Sequence, residues 1–265
     1  MTLRLLEAAA FAAWPAESAF DVRGWHLRLD HGYTKRANSA NATDRSEPLS
    51  DLDIDAIEAR FASRGLTPAF RLPDTIPASG AILAHDARLA RRGYAACDRS
   101  LVMTRALAPG DIARDACASW DPDADPRLVP DPSAWLDAFG AVAGQGAADL
   151  AAHRDILRRV AQPCVGVVAG RAGQPLGCGW SVRVGPRVGL FDIATRVGHQ
   201  RKGHARRCCQ ALMAWGARQG ARTAFLQVLA SNEPAIQLYR SLGFDIAYGY
   251  AYRVLPRPDA RGTPG

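Results

Sequence analysis

The chain has 265 residues, 48% of them hydrophobic, and a formal net charge of +7. That length admits one or two domains with a sizeable core, and no apolar run approaches the roughly 18 residues that read as a membrane span. The charge is almost all Arg, with Lys only at Lys35 and Lys202; it is scattered and not interleaved with aromatics, which argues against a nucleic-acid surface.

The N-terminal stretch 1–15 has one Arg ahead of an apolar run, but Glu7 interrupts that run, so it reads as a helix over 3–13 ending before Pro15 and not as a signal peptide. Residues 24–32 alternate, with Trp25, Leu27 and Leu29 on one face and His26, Arg28 and Asp30 on the other, as in a half-buried strand. Polar residues 33–48 read as a loop, or as a strand end followed by a loop. Ser50 or Asp51 caps a helix to about Arg64, with Ile54, Ile57 and Phe61 on its inner face. A strand at 69–72, a helix at 79–92 and a strand at 100–107 follow. The Pro- and Asp-rich stretch 108–134 connects two halves, with one strand around 115–120.

Helices are expected at 132–141 and 147–160, then three strands at 164–171, 176–184 and 188–196 joined by hairpin turns. A helix over 204–219, a strand over 223–230, a last helix from Asn232 and a strand over 249–256 complete the fold, with a frayed tail at 258–265. The segment 57–72 lines up with 212–227: a helix end, a Gly, four residues, then Phe70 or Phe225 on a strand. This is the mark of a tandem duplication, with domains at 1–108 and 109–257.

The six cysteines (Cys97, Cys117, Cys164, Cys178, Cys208, Cys209) form no CxxC pair and no Cys/His zinc spacing. No metal site is expected, and reduced thiols in a cytoplasmic protein are the default.

The chemistry concentrates in 200–244. Gln200, Arg201, Lys202, Gly203, His204 and Ala205 form a turn between a strand and a helix. The first amides of a helix have no internal partners and sit at the positive end of its dipole, so they bind pyrophosphate directly. Gly203 and Ala205 keep the backbone clear. His204-Ala205 stands where a Walker A loop requires Lys followed by Ser or Thr, and GxGxxG is absent from this junction. The next helix buries Ala205, Cys209, Leu212, Trp215 and Gly216. The last helix has Ala235, Leu238 and Leu242 inward, with Tyr239 beside that stripe; by geometry alone Tyr239 is either core packing or a half-buried phenol with a free hydroxyl.

Gln200, Gly203 and Ala205, followed by Asn232, Ala235, Leu238, Tyr239, Gly243 and Phe244, resemble the two motifs of the GNAT superfamily of acyl-CoA-dependent N-acetyltransferases, in the right order and at the right separation. The clear resemblance covers about 160–256. It implies an α/β (α+β) fold: a mixed, mostly antiparallel sheet flanked by helices on both faces, here in two tandem copies of which the first lacks the phosphate turn.

It also implies an acetyl-CoA co-substrate in a cleft where 192–195 and 225–228 splay. The pyrophosphate would lie on 200–205, the pantetheine arm along the backbone of Ile193 and Thr195, and Asn232 against the cofactor. Tyr239 would protonate the departing thiolate. Arg201 and His204 depart from the family pattern and fit if their side chains point outward, or His204 touches a phosphate.

For the base, Asp192, Glu233 or ordered water stand open, and His26 and His31 could reach the cleft only if the halves embrace. The expected reaction is acetyl transfer to a primary amine of a small or amino-acid-like acceptor. A non-catalytic acyl-CoA sensor or scaffold and a protein-lysine acetyltransferase are the alternatives. The expected partners are that acceptor alone, without nucleic acid or membrane, in a monomer or homodimer.

Overall fold

The computed structural model of the chain describes residues 3–74, 81–108, 126–171 and 173–256. Local signals set most boundaries. The Ser50 hydroxyl accepts the Asp53 N–H while the Asp53 carboxylate accepts the Ser50 N–H, a capping box that opens a helix. Asp131 accepts from Ser133 and Ala134 to open another, and Gly144, at φ 68°, ends it.

In the N-terminal half the elements are α1 (Leu3–Ala13), β1 (Ser18–Val22), β2 (Trp25–Leu29), β3 (Ser39–Asn41), α2 (Asp51–Ala62), β4 (Ala69–Pro73), α3 (Ala81–Arg91) and β5 (Ala95–Ala106). The C-terminal half has β6 (Arg127–Val129), α4 (Pro132–Ala143), α5 (Ala147–Arg158), β7 (Cys164–Ala169), β8 (Gly177–Val184), β9 (Arg187–Thr195), α6 (His204–Arg218), β10 (Thr223–Leu229), α7 (Glu233–Ser241) and β11 (Asp245–Val254). All the predicted helices are present.

Three short strands were not predicted. β1 alternates only between half-buried and exposed. β3 is three buried residues, Ser39, Ala40 and Asn41, within a stretch whose polarity reads as loop. β6 is also three residues. The strand expected at 115–120 and the tail at 258–265 lie outside the described residues. β5 and β11 start earlier than predicted because irregularities in their mutual register, at Ile246/Tyr248 and Tyr250/Tyr252, break the alternation without ending the pairing.

The strands make one sheet in the order β1-β2-β3-β4-β11-β5-β10-β9-β8-β7-β6. Only β3–β4 and β9–β10 run parallel, each across a βαβ crossover through α2 or α6; every other pair is antiparallel. The order is nearly palindromic about the central β11–β5 pair. The last strand of each half is exchanged: β5 pairs with β10, and β11 pairs with β4. Phe70 and Phe225, matched in the internal alignment, are both fully buried but face opposite sides of the sheet, Phe70 toward α2 and α3 and Phe225 toward the core of α1, α4 and α5.

Helices cover both faces, giving the mixed, mostly antiparallel architecture expected. On one face α6 and α7 pack over the C-terminal strands, and α2 and α3 over the N-terminal ones. On the other, α1, α4 and α5 share a single core that takes Ala69 from β4, Val102 from β5, Trp180 from β8, Phe225 from β10 and Tyr248, Tyr250 and Tyr252 from β11. That shared core places elements of the first half over the strands of the second.

Candidate active site

β9 and β10 pair from Arg187↔Thr223 to Leu190↔Leu226 and then part, although both strands continue. The divergence begins at a bulge. Between Cys178↔Ala194 and Trp180↔Phe191 the β8–β9 register shifts, and Asp192 takes φ +52°. A non-Gly residue in that region costs energy and persists where the surrounding structure demands it. Gly179 sits opposite the bulge, and a Cβ there would meet Ile193 Cδ1 at 2.5 Å, so the glycine makes room for the Ile193 side chain. The expected splay of 192–195 from 225–228 is therefore present, and beyond Leu190 the cleft-side backbone of β9 has no ladder partner on β10.

A cavity of about 460 Å³ opens at this point, lined from the C-terminal half by Asp192, Ile193, Gln227, Asn232, Tyr239 and Tyr250 among others. The N-terminal half supplies another wall, with Tyr33, Lys35, Arg36, Asp98 and Ser100. Asn232 is the N-cap of α7; its side chain accepts from the Ala235 N–H at 3.3 Å. Tyr239 is 7% exposed, with its ring edge-on to Phe244 at 6.0 Å. It lies at the centre of the buried stripe of α7 beside Ile236, not at its flank; Ala235 and Leu238 are the half-buried ones. Burial, reinforced by the nearby Cys209, pushes the Tyr239 phenol well above its ordinary pKa.

The turn 200–205 lies between the end of β9 and the start of α6. Gly198, Arg201 and Gly203 have positive φ (81°, 61° and 86°), so Arg201 holds a conformation that suits glycine. Gln200 folds its side-chain oxygen onto the Gly198 N–H at 2.9 Å. Arg201, Lys202 and Gly203 are exposed. Gly203 is the N-cap of α6 and has no side chain to satisfy the first amides of that helix. Arg206 ties the α6 start to the α7 end through Ser241 Oγ at 2.6 Å.

His204 departs from expectation. Its side chain does not point outward but is buried, with its Cβ against Gly177 on β8 and Nδ1 lacking a hydrogen-bond partner. Burial, with Arg207 adding to it, lowers its pKa. The apolar stripe of α6 correspondingly runs through His204, Cys208, Cys209, Leu212 and Met213, while Ala205 and Trp215 are only half-buried.

Of the two candidate carboxylates, Asp192 lines the cavity, whereas Glu233 is exposed on the first turn of α7 and is not part of the lining. His26 pairs with Asp21 at 2.7 Å and His31 is exposed; neither reaches this cavity.

Another histidine reaches Asp192. His153 on α5 is fully buried, with Nε2 3.2 Å from Asp192 Oδ2, an ion-pair distance without an aligned hydrogen bond. Its Nδ1 lies 3.3 Å from the Tyr33 hydroxyl, which accepts from Gln145 Nε2 at 2.7 Å. Trp14, Tyr33, Trp135 and Phe139 enclose the imidazole. Across the cavity, Arg36 Nη2 lies 3.8 Å from Asp192 Oδ1. The trace of His153 in the sequence is a polar residue on the stripe Leu150, His153, Ile156, Leu157. Arg36 has none, because it lies in an aperiodic loop.

Three comparisons identify the relatives of this arrangement. The family described as "Probable histone acetyltransferase Rv0428c C-terminal" matches residues 1–253. The chain is 28% identical over 256 residues to an "Uncharacterized N-acetyltransferase YobR" of Bacillus subtilis, covering 95% of this chain and 98% of that one. It is 28% identical over 264 residues to a "Probable histone acetyltransferase Rv0428c" of Mycobacterium tuberculosis, covering 94% and 73%. Among solved structures, a GCN5-related N-acetyltransferase from Kribbella flavida superposes with a TM-score of 0.65 at 15% identity, covering 97% of this chain and 96% of that one. A tandem GNAT protein from the clavulanic acid biosynthesis pathway gives 0.55 at 14% identity over 77% and 70%; these two likenesses are of fold. The chain belongs to the Rv0428c C-terminal family, within the GNAT-type N-acetyltransferases, and is an acetyl-CoA-dependent acyltransferase.

Proposed function

We propose that the protein transfers the acetyl group of acetyl-CoA to a primary amine of a small, amino-acid-like acceptor by direct attack. The observation that carries this reading is the single cavity in which the parted strands β9 and β10, Tyr239 and Asp192 meet a wall from the N-terminal half.

The residues fit the donor. The uncapped amides at the start of α6, with Arg201, Lys202 and the open backbone at Gly203, would hold the pyrophosphate, aided by Gln200, His204 and Ala205 through their main chain. The unpaired backbone at Ile193 and Thr195 would receive the pantetheine arm as an added strand. Asn232 would contact the same ligand where it lines the cavity.

Attack by the amine nitrogen forms the C–N bond and breaks the C–S bond of the thioester. Asp192 would take the proton lost from the amine, and Tyr239 would supply one to the departing thiolate. The phenol remains protonated because burial opposes its ionisation. We assign the donor site to the domain 109–257 and give 1–108 a supporting role in acceptor binding. The free cysteines among the described residues accord with a reduced, cytoplasmic setting.

A release-of-thiol screen with acetyl-CoA across amines, amino acids and peptides is the test. Turnover with small amines supports the proposal. Turnover confined to lysine peptides would instead favour a protein-acetylating role, which the name of the mycobacterial relative suggests for that protein. Acetyl-CoA should also raise Tm by binding the native state, and no shift at millimolar ligand would sink the assignment of the cleft.

A further inference from the structure

We propose that the acceptor is an α-amino acid, recognised as a zwitterion by Arg36 and Asp192 together; this rests on the transferase reading above. Arg36 is supplied by the N-terminal half, on the short turn Lys35–Ala37. Its guanidinium is 4.4 Å from the centre of the Trp14 ring and 5.7 Å from that of Phe191, so it is pre-oriented by two aromatic faces. Yet among the described residues its side chain donates no hydrogen bond. Its one ionic contact is Asp192 Oδ1 at 3.8 Å, too long for a hydrogen bond. The neighbouring Lys35 is already paired, with Asp98 Oδ2 at 2.7 Å. Lys35 thus has its charge met at hydrogen-bond distance, whereas Arg36 does not, and the planar Arg36 fork matches a carboxylate.

Asp192 offers the complementary charge. Oδ2 faces His153, and Oδ1 faces Arg36 and the cavity. An α-amino acid carries its ammonium and carboxylate on one carbon, so it can bridge the two side chains from the cavity side, with its carboxylate on the Arg36 fork and its nitrogen on Asp192. Asp192 then removes the proton from the nitrogen that attacks. A plain amine can also set its ammonium on Asp192, but it brings no carboxylate for Arg36 and leaves one positive charge uncompensated. A lysine side chain within a peptide has no carboxylate near its amine and meets the same penalty. The pair therefore both selects for and selects against.

The test compares kcat/KM for matched pairs: L-leucine with 3-methylbutylamine, and L-phenylalanine with 2-phenylethylamine, each with acetyl-CoA. The native enzyme should prefer the amino acid. In Arg36→Gln the ratio of amino acid to amine should fall by roughly 10- to 100-fold, the worth of one charge-assisted hydrogen bond. Tyr239→Phe should lower both members of a pair and leave the ratio as it was. Arg36→Lys should recover part of the ratio, since it restores charge without the fork.

Calorimetric titration of the same four compounds into the CoA-saturated protein gives a second readout that needs no turnover. Tighter binding of the amino acids, lost in Arg36→Gln, supports the zwitterion site even if the reaction assigned above is wrong. Equal handling of acid and amine by the native protein, or an Arg36→Gln ratio unchanged in both measurements, overturns it. A screen that finds no thiol release with any acceptor counts against the transferase reading and leaves the decision on the zwitterion to the calorimetry.

Discussion

At the scale of single residues, the site is defined by groups held against their own preferences. Asp192 sits at positive φ, with one oxygen buried and no aligned donor. Asn tolerates that backbone as readily as Asp, so Asp192→Asn should fold with little change in Tm and lose about 100-fold in turnover, in the range of a removed general base. Tyr239→Phe should cost a similar factor in thiol release while leaving the Kd for acetyl-CoA nearly unchanged, as titration calorimetry would show; equal turnover would remove Tyr239 from the acid role. His85 and His204 are also held against preference. Each is buried with a nitrogen lacking a hydrogen-bond partner, and burial lowers the pKa of each, with help from Arg88 and Arg207 respectively. The unfolded chain therefore binds more protons than the folded one just below ~6.5, the ordinary histidine value. Stability from these residues is fully present above that pH and declines as pH falls toward the lowered folded values. Urea titrations between pH 5 and 7.5 should show this loss, and His204→Leu should flatten the curve.

At the scale of elements, the turn into α6 combines two demands. It must bend through positive φ at Gly198, Arg201 and Gly203, and it must leave the helix amides uncapped. An added Cβ at Gly203 meets only the Arg207 guanidinium, at 3.9 Å or more. The penalty for Gly203→Ala is thus conformational and not steric, about 1–2 kcal/mol. The mutant should melt a few degrees lower and bind acetyl-CoA more weakly, with the ligand-induced rise in Tm reduced. A mutant with the native rise would show that this turn does not carry the pyrophosphate. The equivalent junction of the first half, β3 to α2, turns elsewhere. The Thr43 hydroxyl donates to the Gly24 carbonyl at 2.7 Å, and a Cβ on Gly24 would lie 2.0 Å from the Arg45 carbonyl oxygen. That segment is tied to the β1–β2 turn, with Ser46 Oγ also donating to the Gly24 carbonyl at 3.2 Å.

At the scale of the molecule, the exchanged strands tie the halves together. A chain of 109–265 alone lacks β5, the strand between β10 and β11, and a chain of 1–108 lacks β11. Each would expose unpaired central edges, which invite aggregation. Separately expressed halves should be insoluble or bind a hydrophobic dye, and co-expression should restore a soluble complex with acetyl-CoA binding. Heating the intact chain should give one transition. Independent folding of 109–265 with native spectroscopic signatures would refute the dependence.

Capping residues, periodicity and glycines act over a few neighbours, and so the sequence alone determined the seven α-helices among the described residues, the long strands and the turn into α6. The Gln200–Ala205 and Asn232–Phe244 motifs were legible because their spacing along the chain is itself the geometry of a βαβα unit. The surroundings of Asp192 were not. His153, Arg36 and Tyr33 converge on Asp192 from segments more than a hundred residues apart, and only the strand exchange and the shared core of α1, α4 and α5 bring them together. Which side chains share a cavity depends on long-range strand order, and one chain's local pattern carries no record of that order.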